Sequence, residues 1–204
     1  MLIVNFKTYK QGEEVVKLAK IVEKISRKII IVLQATDIYG VRQETGLEIF
    51  SQHVDYFEVG RNTGYILPET VKEAGASGTF LNHSEHKLSF NILEKTLKRC
   101  KKLGLKTLVF VKSLQEAKKV SKLKPAYIVF EPPELIAGKI SVSEAKPDLV
   151  KKIVKNVKGN ILIGAGIKNR RDVEIAKKLG AKGVVVSFIV TTSKNPEKIL
   201  KELL

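Results

Sequence analysis

The segment LNHSEHKL, residues 81–88, sets two histidines around a Ser-Glu pair, directly after the short apolar run GTFL. His83 there suits three roles: a proton donor or acceptor, a metal ligand, or a solvated residue at the start of a helix. Other chemistry-bearing groups stand far away in sequence. Asn5 and Lys7 follow the first apolar run, and Glu131 closes a later one just before Pro132 and Pro133. A carboxylate can take a proton from a carbon beside a carbonyl. A neutral imidazole can donate to the oxygen that becomes negative, and a lysine can stabilise the resulting anion. The glycine loop Gly164, Ala165, Gly166 offers main-chain amides of the kind that hold a phosphate, and the stretch beginning at Ser187 lies beside it. His53, His83 and His86 lack the spacing of a zinc protease site and no Cys or Asp cluster joins them, so no metal is expected.

Whether these groups meet depends on the elements that carry them. Eight short apolar runs punctuate the chain: LIVNF (2–6), IIIVL (29–33), LEIF (47–50), GTFL (78–81), TLVFV (107–111), AYIVF (126–130), NILIG (160–164) and GVVVS (183–187). Most are continuously apolar rather than alternating, the pattern of parallel strands covered on both faces. Helical segments separate them. EEVVKLAKIVEKI keeps Val15, Val16, Ala19, Val22 and Ile25 close to one stripe. SLQEAKKVSKL opens with a capping box of Ser113 and Glu116. NRRDVEIAKKLG begins at an N-cap, Asn169, and stops at Gly180; NPEKILKELL has Asn195 as N-cap and Pro196 in the first turn. The connections 36–43 and 68–73 are expected to hold small helices only.

Strand-helix units of roughly 25 residues, repeated along the chain, predict an α/β fold: a compact, short (β/α)8 barrel, one domain over residues 1–204. A doubly wound open sheet is the alternative, but it often carries a Gly-rich turn after its first strand, absent here. In a barrel the active site lies at the C-terminal strand ends. Lys7, His83 and Glu131 would then reach one mouth from three strands, with the two loops at Gly164–Gly166 and Ser187–Ile189 beside them. His86 is read as a helix-start residue and His53 as a loop or interface residue.

Composition sets the remaining bounds. The chain has 204 residues, enough for one sizeable core, with 44% hydrophobic and 28% charged residues. No apolar run approaches the roughly 18 residues of a membrane span. The N-terminus does not read as a signal peptide, and a cytoplasmic location is expected. A single cysteine, Cys100, leaves no intrachain disulfide and is expected to pack inside a helix. The net charge of +16 would attract anions of several kinds. Nucleic acid is not the expected partner: aromatics are only 6%, and none interleave with a basic run.

The strings NFKTY, QHVD, NTGYILPE, GTFLNHSEHKL, EPPEL, SVSEAKP and GAGI, in that order from Asn5 to near the C-terminus, resemble archaeal-type triose-phosphate isomerase. The resemblance implies Glu131 as the base that moves a proton between two carbons of a triose phosphate. It implies His83 as the neutral electrophile, Lys7 as the cation beside the enediolate, and Asn5 as a substrate-positioning residue. Glu85 would support the site, pairing with Lys7. ELIAGKI, with Ile136 and Gly138, would be a lid that excludes water, and Ala165, Gly166 and Ser187 would bind substrate. No cofactor is implied. The partner molecules would be a small anionic triose phosphate and further copies of the chain, a tetramer favoured and a dimer possible, through the segment holding Asn62 to Gly64.

Two stretches depart from the family pattern. The lid reads IAGK where IGTG is usual, and SFIV, 187–190, replaces a Ser-Gly or Gly-Gly step whose amides bind phosphate. Phe188 and Ile189 add bulk there, and Ile189 resists positive φ. Either Gly138, Lys139, Ala165, Gly166 or the TTSK stretch 191–194 would supply phosphate donors instead, or activity would persist at a weaker substrate affinity. A non-catalytic or repurposed relative with an altered phosphate site is the alternative reading.

Overall fold

A computed structural model describes residues 1–132 and 141–204; the expectations for Ile136, Gly138 and Lys139 lie outside the described residues. All eight apolar runs form strands: β1 (Leu2–Asn5), β2 (Ile30–Leu33), β3 (Glu48–Ser51), β4 (Gly78–Leu81), β5 (Lys106–Val111), β6 (Tyr127–Phe130), β7 (Ile161–Ile163) and β8 (Gly183–Val186). Each pairs in parallel with the next, and β1 pairs with β8, so the sheet closes into a barrel. Helices lie between them: α1 (Glu13–Ile25), α2 (Ala35–Glu44), α3 (Pro68–Glu73), α4 (Phe90–Lys102), α5 (Leu114–Ser121), α6 (Val142–Ala145), α7 (Pro147–Asn156), α8 (Arg170–Lys178), α9 (Phe188–Thr191) and α10 (Pro196–Leu203). Among the described residues no helix is long and apolar enough to cross a membrane.

The continuous apolar runs follow from burial on both sides of the sheet. Ile3, Val32, Phe50, Phe80, Phe110, Val129, Leu162 and Val185 form one cluster drawn from the strands, the filling of the barrel. Their strand neighbours, such as Val4, Ile31, Ile49, Val109 and Val184, join a second cluster with helix residues Val15, Val22, Leu93, Val150 and Leu200. Successive residues thus alternate between barrel interior and the helix layer, and neither set meets water. Truncating a filled interior position such as Phe110 to Ala would cost about 3–5 kcal/mol.

Helix ends fix the loops that matter. Ser113 accepts the Glu116 N–H at 3.1 Å, as the capping box predicts. The return arm differs: Glu116 Oε2 takes the Lys112 N–H at 2.7 Å, and Oε1 takes Asn82 Nδ2 at 3.1 Å. The cap of α5 therefore also holds the end of β4. Asn169 and Asn195 cap α8 and α10 by accepting from Asp172 N and Lys198 N. Gly180 ends α8 at φ +96°, where a side chain would be strained and would press Val154 at 2.8 Å.

One expectation was too modest: α2 is a ten-residue helix. Only Ile38 and Val41 are buried in it and Tyr39 faces outward, so its apolar stripe is too thin to read in sequence. Cys100 packs in α4 with no exposure, and burial pushes its thiol up to about 12, which leaves it unreactive.

Candidate active site

β1 delivers Asn5, buried at 5% exposure, and then Lys7, whose φ of +46° is unusual for a side-chain-bearing residue. Two hydrogen bonds hold that strained turn. The Lys7 N–H donates to Asn5 Oδ1 at 2.9 Å, and Gln52 Nε2 donates to the Lys7 carbonyl at 2.8 Å. The Lys7 ammonium is paired with Glu85.

β4 is followed by Asn82, again left-handed at φ +58°. Its Oδ1 accepts the Leu88 N–H at 3.1 Å and its Nδ2 donates to the Phe110 carbonyl at 2.8 Å, so the loop carrying His83 is tied at both ends. The His83 ring sits edge-on to Phe110 with centroids 4.6 Å apart. The Glu85 N–H donates to His83 Nδ1 at 3.2 Å. That bond requires a lone pair on Nδ1, which places the hydrogen of the neutral ring on Nε2. Nε2 lies 3.8 Å from Glu131 Oε2.

Glu131 follows β6, with its N–H bonded to the Val111 carbonyl at 2.9 Å. Its carboxylate is 8% exposed, and Oε2 accepts the Ser84 hydroxyl at 2.9 Å. Gly164, at the end of β7, makes room for it. A Cβ there would stand 2.7 Å from Val129 Cγ1 and 3.3 Å from Glu131 Oε1, too close for either to stay in place.

Burial drives both titrations in the directions that suit proton transfer. It pushes Glu131 up to about 7, against the Ser84 hydrogen bond and the charges of Lys7 and Lys87 that pull it down. It pushes His83 down to about 4, with Lys7 and Lys87 acting the same way and Glu85 opposing. At neutral pH the imidazole is therefore uncharged, and the close approach of His83 to Glu131 is not an ion pair. A carboxylate poised near neutrality beside a neutral N–H donor can take a proton from carbon while the ring polarises the neighbouring oxygen.

The trio opens on a cavity of about 370 Å³ at the barrel mouth. Asn5, Lys7, His83 and Glu131 line it, together with Gly164, Ala165, Gly166, Ile167 and Lys168 after β7 and Ser187, Phe188 and Ile189 after β8. The structure thus brings together every expected site residue that it describes except Glu85, which reaches the site through Lys7 and His83.

The altered SFIV stretch is accommodated by helix, not by positive φ. Ser187 holds the N-cap position of the four-residue α9 without a side-chain cap bond, the helix starts at Phe188, and Ile189 is not one of the left-handed positions. Ile189 packs on the core, while Phe188 is 63% exposed and meets Tyr9 edge-to-face, ring centroids 6.1 Å apart. The TTSK stretch, one of the candidate sources of phosphate donors, has no residue among those lining the cavity. The Thr191 and Thr192 hydroxyls donate back to the carbonyls of Ser187 and Phe188 at 3.2 and 2.7 Å. His86 is not a helix-start residue: α4 is capped by Ser89, and the His86 ring lies against His53, centroids 4.2 Å apart. Among the described residues no metal-binding cluster occurs.

Sequence reasoning passed over the positioning work of Gln52, Asn82 and Gly164, and the cavity wall formed by Tyr9 and Lys168. Gln52 and Asn82 were visible as polar residues at strand ends, but their partners lie on other strands.

The family model for triosephosphate isomerase matches residues 1–203. The triosephosphate isomerase of Saccharolobus solfataricus is 42% identical, over 100% of this chain and 94% of its own length. That of Methanocaldococcus jannaschii is 37% identical over 100% and 98%, and that of Thermoplasma volcanium 39% over 100% and 98%. Agreement at this level along the full length of the barrel shows that the chain belongs to the triosephosphate isomerase family.

Proposed function

We propose that the chain interconverts dihydroxyacetone phosphate and D-glyceraldehyde 3-phosphate, with Glu131 moving the proton. The Glu131 carboxylate takes a proton from the carbon beside the carbonyl. The electron pair left behind forms the carbon-carbon double bond of an enediolate, and charge moves to the carbonyl oxygen. The His83 Nε2–H donates to that oxygen, and Lys7 offsets the negative charge. The hydroxyl on the carbon that lost the proton then gives its own proton, by way of His83 Nε2, to the old carbonyl oxygen and becomes the new carbonyl, while Glu131 returns its proton to the old carbonyl carbon, so nothing is consumed and no cofactor is needed. Asn5 positions the substrate, and the loop at Ala165 and Gly166 with Ser187 takes the phosphate. Lid closure at Ile136 and Gly138 belongs to the same proposal.

The observation that carries this reading is the 3.8 Å approach of a neutral His83 Nε2 to a buried carboxylate raised to about 7. A coupled assay tests it. The wild-type chain should turn over both triose phosphates, and Glu131→Asp and His83→Gln should each lose at least about 100-fold in kcat. Activity that survives both substitutions sinks the mechanism.

Phe188 on the cavity wall favours one second reading, a relative that no longer turns the substrate over. It predicts no activity and no thermal shift with phosphoglycolate.

Self-association belongs to the proposal as well, a tetramer ahead of a dimer. The segment after β3 supports it: Val59 and Tyr65 are 79% and 52% exposed, and Phe57 stacks between Tyr56 and Tyr65. Exposed apolar groups gathered on one segment suit a protein interface. A purely monomeric chain in light scattering would contradict it.

A further inference from the structure

Two lysines line the cavity, and their circumstances differ. Lys7 faces a carboxylate already, being paired with Glu85. Lys168 reaches the cavity from the connection between β7 and α8, two residues after Gly166. Its main chain is fixed: the Lys168 N–H donates to Oδ2 of buried Asp172 at 2.9 Å, while Asn169 Oδ1 accepts the Asp172 N–H at 3.1 Å. Its side chain is exposed, and among the described residues its ammonium has no hydrogen-bond or ion-pair partner.

A second group in the same cavity is unsatisfied. Ser187 Oγ is buried without a hydrogen-bond partner among the described residues, and Ser187 lines the cavity. A buried hydroxyl is favourable only when something completes it. Phe188, next in the chain, lines the cavity as well and is largely exposed.

We infer that the Lys168 ammonium, together with the Ser187 hydroxyl, binds the anionic end of the ligand. A side-chain charge then works where main-chain amides alone would otherwise hold the phosphate. The ligand class is a small phosphate monoester. An ammonium with three rotatable donors on a flexible stem adapts to such a group from a loop position. The identity of the substrate rests on the isomerase reading; the binding of an anion by Lys168 does not.

Calorimetric titration of the full chain with glycerol 3-phosphate tests the assignment, with glycerol as the neutral control. Lys168→Gln should weaken binding about five- to tenfold, and Lys168→Arg should stay within about twofold of wild type. In the isomerase assay Lys168→Gln should raise KM by a similar factor and leave kcat within about twofold. The Gln variant should also show a shallower loss of affinity with added salt. Wild-type affinity in Lys168→Gln overturns the inference, and so does a wild-type chain that binds no glycerol 3-phosphate. Tight, Lys168-dependent binding with no turnover supports the inference while refuting the isomerase reading.

Discussion

The Ser84 hydroxyl donates to Glu131 Oε2 at 2.9 Å, across 47 residues of sequence, and so fixes the carboxylate at the mouth of the barrel. The same hydroxyl favours the ionised carboxylate, but burial outweighs it and holds Glu131 at about 7. The residue next to the electrophile therefore tunes the base.

Removing that hydroxyl should raise Glu131 further. In wild type, kcat/KM should fall on the acid side with an apparent pKa near 7, because a protonated Glu131 cannot accept a proton. In Ser84→Ala the acid limb should move to roughly 7.5–8, the shift expected from one lost hydrogen bond. His83, held down to about 4, should contribute no inflection between pH 5 and 9. A pH profile of both proteins checks this; an unmoved limb contradicts it.

The raised carboxyl also makes the site unstable at high pH. Below the ordinary value of 4.5 both folded and unfolded chains hold the proton, so no penalty applies. As pH rises through 4.5 toward 7 the unfolded chain ionises first, and above about 7 the full penalty remains. It amounts to about 3 kcal/mol at most. Glu131→Gln cannot ionise and keeps an acceptor for Ser84. It should be more stable than wild type at pH 8 by up to about that amount, and equal to it near pH 4. Denaturant melts at the two pH values check the difference.

Gly164 should be required for the position of the base rather than for the fold. Gly164→Ala puts a Cβ 2.7 Å from Val129 and 3.3 Å from the Glu131 carboxylate. We expect a stability loss of about 1–3 kcal/mol from the overpacking. We expect a larger loss in kcat, on the order of 100-fold, because a displacement near 1 Å matters that much at a reacting group. Parallel melts and assays separate the two.

Much of this was legible beforehand. The eight apolar runs became the eight strands because a strand buried on both faces leaves an unbroken apolar signature. Asn169 and Asn195 were readable as caps because capping is local chemistry. Helix α2 was underestimated because Ile38 and Val41 alone mark its buried face. His86 was misassigned because three residues of loop separate it from α4, and its ring partner, His53, comes from the connection after β3. Ile189 stays out of the left-handed region, as its branched side chain requires, because a short helix offers another backbone route there. Nothing local in the sequence shows that Gln52 braces Lys7 or that Asn82 grips β5. Those contacts exist only once the sheet has closed.

Hydrogen exchange at carbon tests the central claim most directly. Dihydroxyacetone phosphate incubated with the chain in heavy water should acquire deuterium at the carbon beside its carbonyl, because the proton taken by Glu131 exchanges with solvent before it is returned. In Glu131→Gln both exchange and isomerisation should fall by at least about 1,000-fold, while His83→Gln should slow both less. Exchange and turnover at the wild-type rate in Glu131→Gln would show that another group moves the proton.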